Sequence, residues 1–255
     1  LITAYDDFWT LDRLVEALAD PRNDIFLHVD RRAGSFDARE FLARHEGARL
    51  VLAPRMRVYW GDFTQVASVL RLLRLAMRSG DYEYFHLLSG SDLPLKSQDR
   101  LHQFFADNRG KEFVAFNELG PGPGGEDWVK LAHPLNRLYR AENRYLRAVY
   151  RRGRRVVLGA QRAAGVDRRR RVAGEVKYGS DWFSITRDLA ATLLESEPAL
   201  RRGFGQAFVP TEFYVQTTLW NSSLKENIFD LDDPYRSSMR YVDFARSSSG
   251  SPAVL

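Results

Sequence analysis

Up to about residue 116 the chain alternates short apolar runs with stretches in which apolar residues recur every three or four positions, the pattern of an α/β domain with a largely parallel sheet. IFLHV (25–29), apolar but for His28 and closed by Asp30, reads as a buried strand. Before it, Leu14, Val15 and Leu18 share one helical face over Asp12–Ala19, and Asp20-Pro21 ends that helix. A further strand is predicted at 48–53. A long helix follows from about Asp62 to Arg78, with Val66, Val69, Leu70, Leu73 and Met77 on one face and Ser79-Gly80 as its stop. YFHLL (84–88) reads as a third strand feeding the loop SGSDLPL, then a helix over 101–106 and a fourth strand over 112–116.

Beyond the Gly/Pro loop GPGPGG (120–125), the arginines from Arg137 to Arg155 fall at helical spacing. A strand over 182–186 and helices over 189–195 and 212–220 complete the pattern, with Thr211 as a candidate cap for the last helix. The expected fold is α/β, a mostly parallel central sheet flanked by helices, as one domain over 1–246. Residues 117–176 are its variable part, an arginine-rich helical insert, and 247–255 are a polar tail.

Composition narrows the chemistry. There are 255 residues, 44% of them hydrophobic, and no cysteine. That is ample material for a core, and it excludes disulfide scaffolds, thiolate metal sites and cysteine nucleophiles. Thirteen arginines lie between 137 and 171 against one Glu and one Asp, on a chain whose net charge is only +5, so the basicity belongs to one segment. Two readings of it stand: a solvated helix face, or a surface for an anionic acceptor or membrane. Nucleic acid is not expected, because the aromatics do not interleave with this run in a stacking pattern. No apolar run approaches the roughly 18 to 20 residues that span a bilayer. The expected setting is cytoplasmic, peripheral at the inner face of the membrane.

The five histidines (28, 45, 86, 102 and 133) are scattered without metal-ligand spacing. Ser91 in GSD lacks the surroundings of a nucleophile elbow. Asp230-Leu231-Asp232 is the only D-x-D, and with Asp233-Pro234 after it the stretch reads as a turn rather than a metal pair. More pointed are polar residues at strand ends, where open α/β sheets hold ligands: Asp30, the Ser89–Asp92 loop, and Gly179-Ser180-Asp181 before WFSIT. Glu212 stands at the start of a predicted helix behind Pro210-Thr211, where the helix dipole would favour its charge.

Six stretches in order, LHVDRR (27–32), RVYWGDFTQV (57–66), YFHLLSGSDLPLKSQDRLHQFF (84–105), YGSDWFSITR (178–187), VPTEFYVQTTLWNS (209–222) and MRYVDF (239–244), resemble the core-2/I-branching β-1,6-N-acetylglucosaminyltransferase and peptide O-xylosyltransferase family, glycosyltransferase family 14. The GSDWF and VPTEF forms look closer to the xylosyltransferase branch. The resemblance implies a GT-A fold and inverting transfer of a sugar, xylose or N-acetylglucosamine, from a UDP-sugar to a hydroxyl of a glycan or glycoconjugate. It implies no metal and no other cofactor. It places the general base on Glu212, the uridine contact on Asp30, and the wall of the sugar or acceptor pocket on Trp60, counted here with the donor side. The acceptor side falls on Asp181 and Trp182, and the diphosphate on Arg240 and Arg246, with Lys177 as an outside candidate. Vertebrate members carry cysteines that this chain lacks, which points to a bacterial, intracellular member. The alternative is a non-catalytic module that holds a nucleotide-sugar or a glycan on the same fold.

Overall fold

The computed structural model describes residues 1–117 and 125–243. Most of the Gly/Pro loop, Arg246 and the polar tail therefore lie outside the described residues. In chain order the regular elements begin with β1 (Ile2–Ala4), α1 (Phe8–Leu18), β2 (Ile25–Val29), α2 (Ala38–Arg44), β3 (Leu50–Leu52), α3 (Thr64–Ser79), β4 (Tyr84–His86) and β5 (Leu88–Ser89). They continue with α4 (Gln98–Asp107), β6 (Phe113–Val114), α5 (Asp127–Lys130), α6 (Arg144–Ala163), β7 (Phe183–Thr186), α7 (Arg187–Glu195), α8 (Glu197–Phe204), α9 (Tyr214–Trp220) and α10 (Pro234–Ser238).

Capping residues set most of the helix starts. Asp37, Ser97, Asn143, Thr186 and Asp233 each accept a hydrogen bond from a backbone N–H of the first turn. Asp7 does the same for α1, so that helix begins four residues before the apolar spacing alone suggests.

The parallel sheet has four strands in the order β3-β2-β1-β5, with Ile2 opposite Leu27 on one side and Leu88 on the other. All five residues of β2 are buried, as expected for a strand covered on both faces. The expectation of one mostly parallel sheet is only half of the architecture. A second, antiparallel sheet has the order β4-β7-β6, with Phe85 opposite Ile185 and Phe113 opposite Ser184.

The YFHLL run changes sheets within two residues: the Leu87 N–H donates to Phe183 in β7, whereas the Leu88 N–H donates to Leu1 beside β1. The larger core packs α3, α7 and α9 against this antiparallel sheet, and Leu72, Leu73, Leu189 and Leu193 are fully buried. A smaller cluster under α1 and α2 packs against β1 and β2, the two central strands of the parallel sheet. Both cores leave the carboxyl ends of β1, β2 and β5 facing the loops that carry the polar residues. No described helix is long and apolar enough to cross a membrane.

Candidate active site

Three loops and a terminal segment converge. The first is fixed by an unusual backbone. Val209 sits at φ +48°, a conformation that costs a β-branched residue roughly 1–3 kcal/mol, and its N–H is tied to the carbonyl of Gly61 at 3.1 Å. Pro210–Glu212 then form a single 3₁₀ turn before α9 begins at Tyr214. Thr211 does not cap that helix: its hydroxyl is buried without a partner, because the left-handed Val209 and the following proline turn the chain before a helix can start. Glu212 thus stands on the rigid turn ahead of the helix.

The second loop is pressed against the first. Gly179 donates its N–H to the Glu212 carbonyl at 2.9 Å, and a Cβ at this position would lie 1.9 Å from the Ala115 carbonyl oxygen. Only glycine lets the backbones approach so closely. The buried Gln216, one turn into α9, donates to the carbonyls of Ala115 and Ser180. Asp181 is thereby held close enough to Glu212 for their charges to interact.

Burial first, and then the charge of the neighbouring Asp181, push the Glu212 carboxyl up to about 7. The Tyr178 hydroxyl, whose ring packs against Phe213 with centroids 5.4 Å apart, bonds to Glu212 and pulls in the opposite direction. Glu212 Oε2 is buried with no hydrogen-bond partner. Asp181 is itself raised to about 6, by burial first and then by Asp92.

The SGSD loop contributes Asp92, which accepts from the Ser89 N–H at 2.8 Å. Burial pushes its carboxyl up, and Arg240 offsets part of that rise. Arg240 crosses the junction of the two sheets. Its guanidinium donates to the carbonyls of Leu87 at 3.0 Å and Phe183 at 3.2 Å, and its Nε is buried without an acceptor. Burial lowers its pKa to about 10, with Asp92 acting against the fall.

Asp30 follows β2 and is buried beside Arg32, which donates to both its carboxylate oxygens. Burial pushes the Asp30 carboxyl up, but the Arg32 bonds outweigh it and hold the group below the ordinary carboxylate range. Arg32 also lies over the Tyr59 ring at 4.7 Å. Next to it Trp60 has the Arg140 guanidinium over its face at 3.8 Å and Phe208 against its edge. Since Phe208 precedes Val209, the W-G and VPTE motifs form one wall. Trp182 packs against the main core, with its N–H directed to the Ser180 hydroxyl at 3.3 Å.

The sequence-predicted residues therefore fall into two neighbouring groups. Glu212, Asp181 and Arg240 gather with Asp92, while Asp30 and Trp60 lie along the adjoining wall. Lys177 is apart from both, paired with Glu175 at 2.8 Å and over Trp220. The sequence reading gave no role to Tyr178, Arg32 or Arg140. Tyr178 lies inside a quoted motif, but its reach to Glu212 crosses between loops, which no local pattern reports.

Asp230 accepts from the N–H groups of Asp232 and Asp233, and Asp233 caps α10, so D-x-D is a turn. Among the described residues no three His, Asp or Glu side chains come together in a group that could hold a metal. His86 meets Ser184 and His133 meets Arg154, while burial keeps both imidazoles neutral.

The profile of the family described as Core-2/I-Branching enzyme matches residues 1–252, through the arginine-rich segment as well as the six motifs. Xylosyltransferase 2 of Rattus norvegicus and of Homo sapiens are each 27% identical over 228 residues, and the xylosyltransferase of Ciona intestinalis is 25% identical over 227. Each match covers 86% of this chain but 24% of the relative, so the chain spans about a quarter of those proteins' length. With a family profile matched over nearly its whole length, the chain belongs to the Core-2/I-branching enzyme family.

Proposed function

We propose that the chain is a glycosyltransferase of GT-A type that moves xylose or N-acetylglucosamine from a UDP-sugar to an acceptor hydroxyl of a glycan or glycoconjugate, with inversion and without a metal. The observation that carries this is Glu212: a carboxylate on a rigid turn, raised to about 7, with one oxygen buried and unpartnered. Such a group is matched to take a proton near neutral pH. In the proposed step the acceptor oxygen gives its proton to Glu212 Oε2 and forms the new bond to C1 of the sugar. The bond from C1 to the diphosphate oxygen breaks on the opposite face, and UDP leaves with the electron pair.

The negative charge that develops on the diphosphate has to be met by a donor. Arg240 is the candidate, because its Nε–H is buried with no acceptor at the seam of the two sheets, beside Asp92. Arg246 completes the assignment from sequence and lies outside the described residues. Asp30 is assigned to the uridine and Trp60 to the sugar, on the wall they share. Asp181 and Trp182 are assigned to the acceptor beside Glu212. Metal independence is supported by the turn that occupies Asp230 and Asp232.

Calorimetric titration with UDP, UDP-xylose, UDP-N-acetylglucosamine, UDP-glucose and a GDP-sugar, in EDTA and again with Mn²⁺, tests the donor side. UDP-sugars are expected to bind in EDTA and the GDP-sugar not to. Glu212→Gln is expected to lower turnover by about 10² to 10⁴ while UDP affinity stays within about threefold. Binding that requires Mn²⁺ would overturn metal independence, and binding of every donor without turnover would favour a module that only holds them.

A further inference from the structure

Helix α6 runs for 20 residues with seven arginines and no acidic residue. Its inner side is fastened. Tyr150 and Leu158 are buried, Gln161 exchanges two hydrogen bonds with the backbone of Ala132, and Arg154 meets His133 at 2.9 Å.

The outer side divides lengthwise. Spacing of three to four residues per turn puts Tyr145, Val149 and Val156 on one line, 67%, 69% and 73% exposed, with Gly153 on one side of it and Arg152, three residues after Val149 and four before Val156, along its other edge. Beside that line stand Arg152 and Arg155, exposed and without an ion pair among the described residues. Further round the same cationic side, Arg144 donates to the Tyr145 hydroxyl at 2.7 Å and lies over its ring at 4.7 Å, and Arg151 lies over the Tyr139 ring at 5.3 Å.

Single exposed valines need no explanation, but an apolar line of roughly three turns flanked by unneutralised cations makes two demands at once. Water satisfies the arginines and not the valines. A second copy of this face would bring arginines against arginines. A nucleic acid would meet the arginines through its phosphates and leave the aliphatic line in water. The interface of an anionic bilayer meets both demands, taking apolar side chains at the acyl boundary and guanidinium groups among the headgroups.

We infer that α6 docks the protein on the surface of an anionic lipid bilayer, lying in the plane of the interface with Tyr145, Val149 and Val156 turned toward the acyl chains. The helix is also close to the site: Arg154 lies over Phe208 at 4.8 Å, and Phe208 leads directly into the Val209–Glu212 turn. On the transferase reading, on which this consequence rests, docking presents the site to acceptors tethered to the same membrane. The docking itself does not depend on that reading.

Co-sedimentation of the full chain with vesicles tests it, comparing phosphatidylcholine alone with phosphatidylcholine containing about 30% phosphatidylglycerol, at low salt and at about 0.5 M NaCl. Binding is expected on the anionic vesicles at low salt, absent on the neutral ones, and largely released by salt. Arg152→Glu with Arg155→Glu is expected to lower the partition constant at least tenfold, since each juxtamembrane cation contributes roughly fivefold. Val149→Asp with Val156→Asp is expected to lower it similarly, and both pairs are exposed, so a thermal melt matching the parent is expected.

Three results would overturn the inference: no binding to anionic vesicles, equal binding to neutral ones, or full binding by the double Asp variant. The last would leave a plain polyanion surface of the kind an acidic protein or nucleic acid uses. Nucleotide calorimetry in the same buffer separates the two readings. Vesicle binding without UDP-sugar binding would sink the transferase and leave the docking, and the converse result would do the reverse.

Discussion

Two glutamates are raised by burial to about 7, and their oxygens tell them apart. Glu112 bonds through one oxygen to the Thr186 N–H at 2.9 Å and through the other to the Thr186 hydroxyl, so it closes the start of α7 and has nothing left to offer a substrate. Glu212 keeps Oε2 unpartnered. Its titration is expected to show as the acid limb of the turnover profile, activity rising with pH through about 7 as the base deprotonates. Asp181 raises that carboxyl by charge repulsion, so Asp181→Asn is expected to move the limb to lower pH. The Tyr178 hydroxyl favours the charged form, so Tyr178→Phe is expected to move it to higher pH. The two opposite displacements, read from kcat against pH, would identify Glu212 as the titrating group, and a limb unmoved by both variants would reject it. A purely structural role for either residue would change the height of the profile and leave its position alone.

At the scale of elements, the site depends on two loops being a backbone apart. Gly179→Ala would drive a methyl group into the Ala115 carbonyl, and backbone can yield only by moving the loop that donates to Glu212. The expected cost is about 3 kcal/mol of stability, seen in a thermal melt, together with lower turnover at little change in UDP affinity. A variant with parent stability and parent turnover would show that the approach is not needed. Much of this layer was legible in sequence. The helices announce themselves by capping Asp, Asn, Ser and Thr residues and by apolar spacing, and β2 by a run that is apolar but for His28. The break at Leu87 was not legible, because YFHLL is apolar on both sides of it and only the distant β7 decides which sheet takes which amide. The antiparallel sheet escaped for the same reason: β6 is two residues long and its partner lies some seventy residues further on. Thr211 looked like a cap because the left-handed Val209 carries no mark in its residue type.

At the scale of the whole molecule, the two sheets meet along Leu87 and Phe183, and Arg240 fastens that seam. A guanidinium held by carbonyls of both sheets, with Asp92 acting on its charge, makes the segment after α10 part of the fold and part of the site together. The resemblance of MRYVDF assigned it to the diphosphate; its place at the seam was not legible in sequence, because the carbonyls it serves lie 57 and 153 residues earlier. Arg240→Met would leave buried carbonyls short of donors and Asp92 without its neighbouring cation. The expected loss is about 3 kcal/mol, which for a chain of this size lowers the melting temperature by roughly 6–12 °C in a single cooperative transition. Arg240→Lys keeps the charge but not the planar fork, and is expected to fall between the two. The decisive reading is UDP affinity in EDTA, measured well below each variant's melting temperature. If Arg240 meets the diphosphate, affinity falls by at least tenfold in the Met variant and less in the Lys variant. If affinity is unchanged while the melting temperature drops, Arg240 is a fastening of the seam alone, and the leaving-group charge must be met by another cation.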